Sequence, residues 1–138
     1  MTIQAATPYL VLGGQAEQAI EFYKGALRAK VEATTRFGDM DKSCPEALRN
    51  RIMHAVLRVG SALIFLSDGS PEDKAPEAGG GVSIALDISD VDELRRVFDA
   101  LSAGGQVVAP VMDAPWGAWF AALNDKFEIN WMLNCTKK

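Results

Sequence analysis

Two hydrophobic periods alternate along this chain, one near 3.6 residues and one near two, and they come in the same order twice. The first round opens with TPYLVLGG, a short apolar run closed by a glycine pair, which predicts a strand and a turn. QAEQAIEFYKGALRA follows, with Ala16, Ala19, Phe22, Tyr23 and Ala26 at helical spacing. KVEATTRFG, RIMHAVLRVG and ALIFLSD then read as three strands. In the second round VSIALDISD alternates and stops at polar residues. DVDELRRVFDALSAGG carries acidic residues in its first turn and a glycine stop, as helix ends favour. Its apolar stripe is Leu94, Val97, Phe98 and Leu101, and GQVVAPVMD, WGAWFAALN and INWMLNC complete the set as strands.

A shift of 75 residues, Pro8 onto Ser83, lays Ala19 on Leu94, Phe22 on Val97, Tyr23 on Phe98 and Ala26 on Leu101. The helical stripes coincide, so the chain is duplicated in pattern with little identity. The predicted class is α+β, with two βαβββ modules over about residues 5–68 and 81–136. They are joined by the polar, Pro- and Gly-rich segment 69–80. Each module is too small to bury its own sheet face, which predicts one domain in which the two pair.

The remaining totals mainly exclude. A length of 138 residues, 49% hydrophobic and 23% charged, suits one globular domain with a core. A net charge of −4 with scattered basic residues argues against nucleic acid, which needs a basic face. No segment approaches the length of a membrane span, and the N-terminal apolar run lacks a basic start and is too short for a signal peptide. Cys44 and Cys135 are far apart, outside any C-x-x-C, which predicts free thiols and a cytoplasmic protein. Gly79–Gly81 run straight into a strand rather than opening a helix with Gly-Lys-Ser/Thr, so they are a joint and not a phosphate loop.

Candidate chemistry is sparse. His54 is the one histidine; it reads either as a general base or donor to a ligand, or as a strand histidine hydrogen-bonded to backbone. No carboxylate at fixed spacing orients it, which favours the second reading. Alternation puts His54, Val56 and Arg58 on one face of their strand and Met53, Ala55 and Leu57 on the other, without saying which face meets a ligand. Arg36 is a candidate for an anionic substrate, against a solvated loop charge beside Asp39 and Asp41. No Gly-x-Ser-x-Gly elbow is present. In WGAWFAAL, Trp116, Ala118, Phe120 and Ala122 share one face, and Trp119, Ala121 and Leu123 the other.

The motifs YLVLGGQAEQAIEFYKGAL, RFGDM, IMHAVLRVGSALIFLSD, VSIALDISDVDELRRVFDALSAGGQVVAPVMD and PWGAWFAALNDKFEINWMLNC span almost the whole chain. Together they resemble the vicinal oxygen chelate superfamily of glyoxalases, bleomycin-resistance proteins and extradiol dioxygenases. The nearer resemblance is to its PhnB-like branch, often labelled 3-demethylubiquinone-9 3-methyltransferase-like. One departure is Glu128, where that branch usually has glycine.

The resemblance implies that each module curls into a half-open sheet, that the two form a mixed β-sheet cup, and that the protein is a homodimer. It also implies where a metal would be held, on Pro8, Phe65, Ser83 and Met132. None of these is a normal ligand for a divalent cation: zinc takes His, Cys or carboxylate, harder ions take oxygens, and a thioether suits copper(I). No metal and no cofactor are therefore expected. S-adenosylmethionine use is rejected too, because Gly13-Gly14 is short and no acidic residue stands where a nucleotide fold needs one.

With Met132 facing the cup, Trp131 is expected to pack under a helix near Phe98, Trp119 to join that core, and Trp116 to face the cup or its rim. A cup bearing Leu10, Phe65, Trp116 and Met132 suits an aromatic or apolar small molecule held by burial and stacking, with Arg36, His54 and Ser83 as polar candidates. The rival expectations are a metalloenzyme with unusual or inter-subunit ligands, and a cup filled by its own side chains. Whether the protein is an enzyme stays open at this level.

Overall fold

The computed structural model describes residues 2–138 and divides into two compact units, one ending at Pro76 and one running from Glu77 to Lys138. The division falls inside the predicted joint. Each unit is a four-stranded mixed sheet with a principal helix against one face, and the element order βαβββ occurs twice.

In the first unit β1 (Tyr9–Val11) leads to α1 (Ala16–Ala26), then β2 (Lys30–Arg36), two single-turn helices, β3 (Ile52–Val59) and β4 (Ala62–Ser67). The short helices are α2 (Phe37–Met40) and α3 (Glu46–Arg49), in a stretch that the polar sequence marked only as loop. The strand order is β1-β4-β3-β2, with the outer strand β1 parallel to β4. Helix α1 buries Ala16, Ala19, Ile20, Tyr23 and Ala26, and lies against β2 and β3. Its start is fixed from a distance. The buried Asp68 carboxylate accepts from Ala16 N–H (2.8 Å) and from Ile52 N–H (2.7 Å), tying an orphan donor of the helix end to the start of β3.

In the second unit β5 (Ile84–Asp87) leads to α4 (Val91–Ser102), β6 (Gln106–Ala114), β7 (Ala118–Asn124) and β8 (Asn130–Thr136), in the order β5-β8-β7-β6. Asp90 caps α4 by accepting from Glu93 N–H, and Leu94, Val97 and Leu101 are buried below it. Trp131, Leu133 and Cys135 of β8 share that helix-covered face, in register with Leu123, Ala121 and Trp119 of β7. Trp131 is 1% exposed; burying such a ring contributes about 4 to 6 kcal/mol.

Both hairpins of this unit turn through three residues, the last in the left-handed region that follows a type I turn. Between β6 and β7 that residue is Gly117 (φ 82°); between β7 and β8 it is Glu128 (φ 69°). The side chain at 128 thus occupies the conformation that glycine takes in the sister turn. The fold absorbs the departure without changing the hairpin.

Strand pairing also corrects the superposition of the two halves. Leu12 N–H donates to Ser67 O and Ile88 N–H to Asn134 O, each at 2.8 Å, just beyond β1 and β5. Leu12 and Ile88 are therefore equivalent, one residue off the helical shift, because the first turn is longer by one residue. Thr7, rather than Pro8, becomes the counterpart of Ser83.

Candidate functional site

A sheet with a helix on one face leaves the other free of that helix, so strand parity decides which residues stand on it. In the first unit the face under α1 holds Ala55, Leu57, Ile64 and Leu66, all buried. The uncovered face carries Tyr9, Phe65 and Val56 side by side, because Tyr9 pairs with Phe65 and Phe65 with Val56. His54 stands on the same face. Its ring centroid is 5.0 Å from that of Phe65 and 5.5 Å from that of Tyr9, and Nδ1 is 3.4 Å from the Tyr9 hydroxyl. The partner of His54 is thus a side chain, not the backbone that the sequence favoured.

Two sequence expectations about faces need correction. Leu10 pairs with Leu66 and so belongs to the helix-covered side, where Leu12 is fully buried; Tyr9 takes the open place. In β3 a bulge sits at Met53, since Arg36 pairs with Ile52 but Thr35 with His54. Ile52 and Ala55 are consequently both buried, and Met53 does not continue the Ala55–Leu57 face.

Arg36 lies apart from the aromatic cluster. Its guanidinium is ion-paired with Glu17 and donates to Asn50 O, while its N–H donates to Asp39 at 2.9 Å. It lines a surface cavity of about 320 Å3 with Gly38, Lys42 and Arg49. Nearby, the Ser43 hydroxyl, followed by its backbone N–H, holds the Asp41 carboxyl below the ordinary range. The bonds to Glu17, Asn50 and Asp39 tie Arg36 to α1 and to the segment that follows β2.

In the second unit the uncovered face carries Ala85, Met132, Ala122 and Phe120, as the pairings Ala85 to Met132 and Met132 to Ala122 require. Ser83 and Met132 come together in an open cavity of about 360 Å3, with Val108, Ala122, Asn124 and Asn130. Trp116 is held at the tip of the β6–β7 hairpin. Its indole N–H donates to Asn134 Oδ1 (3.2 Å), and its ring meets Phe120 edge-on at 5.3 Å, yet it stays 59% exposed. The ring is thus fixed in place with much of its surface open to solvent. Trp131 instead donates to the buried Asp125 carboxylate (2.8 Å), and Trp119 lies on the helix side with Arg95 and Lys137 over its ring.

The residues at the positions where the resemblance would place metal ligands do not fit a divalent cation. Phe65 offers no donor, Met132 a thioether, and Ser83 and Thr7 neutral hydroxyls. Among the described residues, no three His, Cys, Asp or Glu side chains are grouped to hold a metal.

Tyr9, Asp68 and Asp125 are the residues that sequence reasoning missed. Only Asp125, in the polar turn NDKF, carried a local signal, that of an Asx turn.

The chain matches the family model described as Glyoxalase/Bleomycin resistance protein/Dioxygenase superfamily over residues 6–133. It is 32% identical over 142 residues to Protein YjdN of Escherichia coli (strain K12), covering 96% of this chain and 95% of that protein. The crystal structure of protein PA1353 from Pseudomonas aeruginosa superposes with a TM-score of 0.84 at 34% identity, covering 99% of this chain and all of that one. The PhnB protein from Bacillus cereus shares the fold, with a TM-score of 0.80 at 23% identity, over 96% of this chain and all of that one. Among the described residues no helix is long and apolar enough to cross a membrane. With the βαβββ order repeated and the model match running nearly end to end, the chain belongs to the glyoxalase/bleomycin resistance protein/dioxygenase superfamily.

Proposed function

We propose that this protein binds an aromatic or apolar small molecule without a metal, acting as a cytoplasmic homodimer that lacks methyltransferase activity. One observation carries the reading. The uncovered sheet faces present rings and a thioether, namely Tyr9, His54 and Phe65 in one unit and Trp116, Phe120 and Met132 in the other, while the ligand positions of a metalloenzyme hold no ionisable group. Burial and stacking are the forces such surfaces offer, and they suit sequestration as well as recognition. The dimer rests on family membership, and the cytoplasmic assignment on two free thiols.

Thermal-shift and calorimetric titration with bicyclic and tricyclic aromatics test the reading. Saturable stabilisation by at least one of them, weakened by Trp116→Ala or Phe65→Ala, is the expected result. A panel in which no aromatic raises the melting temperature would sink it. The rival reading is a metalloenzyme with unusual or inter-subunit ligands, and stoichiometric zinc, iron or manganese lost on changing His54, the one histidine of the chain, would favour it.

A further inference from the structure

His54 is the one imidazole of the chain, and its two nitrogens are not in the same situation. Nδ1 faces the Tyr9 hydroxyl, and the Tyr9 and Phe65 rings lie beside the imidazole with centroids 5.5 and 5.0 Å away. Among the described residues, the Tyr9 hydroxyl is the ring's one polar partner. A phenol is the better donor of this pair and an imidazole nitrogen the better acceptor, so the tautomer expected of the neutral ring accepts from the Tyr9 O–H at Nδ1 and carries its proton on Nε2. The result is a single N–H donor set among aromatic surfaces, on a sheet face that α1 leaves open.

Resting on the ligand-binding reading above, we propose that the His54–Tyr9 pair selects aromatic ligands bearing an acceptor oxygen, with His54 Nε2–H donating to a carbonyl or oxyanion. The rings of Tyr9 and Phe65 supply the stacking surface, and Tyr9 acts as a positioning residue by holding the tautomer. A ligand of the same shape without the oxygen leaves the donor unpaired as it is covered, and is rejected for that reason.

The experiment uses the full chain with 2-acetylnaphthalene and 2-ethylnaphthalene, which differ by a carbonyl in place of a methylene. His54→Phe keeps the stacking and removes the donor. It is expected to weaken 2-acetylnaphthalene about tenfold and to change 2-ethylnaphthalene less than about twofold. His54→Gln, whose amide reaches the place of Nε2, is expected to retain most of the carbonyl preference. His54→Phe weakening both ligands equally, or neither, overturns the proposal.

A single histidine also gives a single set of imidazole 15N resonances. In the neutral ring of the free protein, at alkaline pH, Nε2 is expected to be the protonated nitrogen. Its signal should move on adding the ketone and stay with the hydrocarbon, and Tyr9→Phe should mix the tautomers. Protonation on Nδ1 overturns the proposal whatever the titrations give. Both probes binding without carbonyl preference removes this inference and leaves the ligand-binding reading standing. Neither probe binding overturns this inference, while the ligand-binding reading stands or falls on the wider aromatic panel.

Discussion

Replacing Asp125 by alanine tests how the β7–β8 hairpin is held. The carboxylate is 2% exposed and accepts three hydrogen bonds: Phe127 N–H at 2.8 Å, Ile129 N–H at 3.1 Å and the Trp131 indole N–H at 2.8 Å. Its backbone N–H also donates to Ile129 O, closing the turn. Phe127, Ile129 and Trp131 are themselves buried, so water does not readily replace the lost oxygens. Removing a buried acceptor costs about 1 to 3 kcal/mol per donor affected, and the three are not additive because the turn relaxes as a unit. A loss of about 3 to 5 kcal/mol follows, a large share of the roughly 5 to 15 kcal/mol that holds a domain folded. Asp125→Asn keeps one acceptor oxygen but sets an NH2 group toward a donor, and should cost about 1 to 2 kcal/mol. Urea unfolding followed by far-ultraviolet circular dichroism measures both, with m unchanged as the sign that the unfolded state is the same. A loss under about 1 kcal/mol for Asp125→Ala would refute the claim that this carboxylate organises the hairpin and aims Trp131 inward.

Three further substitutions separate stability from binding. Glu128→Gly should stabilise by up to about 1 kcal/mol in the same assay, since relief of the left-handed backbone outweighs the added chain entropy; destabilisation would contradict that balance. Gly105→Ala should destabilise by more than about 2 kcal/mol, because a Cβ there would lie 2.2 Å from Asn124 O, backbone that cannot step aside as a side chain would; a neutral result would mean the strand ends move freely. Trp116→Ala should shift stability by less than about 1 kcal/mol, given its exposure, while lowering aromatic affinity at least threefold by calorimetry; unchanged affinity would remove Trp116 from the site.

The periodicities carried the order of the strands and of the two long helices, because α1 and α4 each show one apolar stripe and β7 alternates cleanly between Phe120 on one face and Trp119 on the other; the single-turn α2 and α3 are too short to show a period. What they did not carry was parity wherever both faces are apolar or a residue is inserted. In TPYLVL nothing distinguishes Leu10 from Tyr9 as the open position until β1 is paired with β4. The Met53 bulge shifts the faces of β3 without any Gly or Pro to announce it. His54 lacked a sequence neighbour to orient it because its partner, Tyr9, is 45 residues away and on a different strand. Asp68 was hidden for the same reason, since it acts on helix α1 from 52 residues further along the chain.

Calorimetric titration of 2-acetylnaphthalene into protein freed of divalent cations by a chelator bears most directly on the central proposal, that rings and a thioether bind a ligand at the positions where the resemblance would place a metal. One saturable binding event, unaltered when zinc, manganese or iron(II) is added back, is the result this structure predicts. Binding that is absent after chelation and returns stoichiometrically with one of those ions would contradict it.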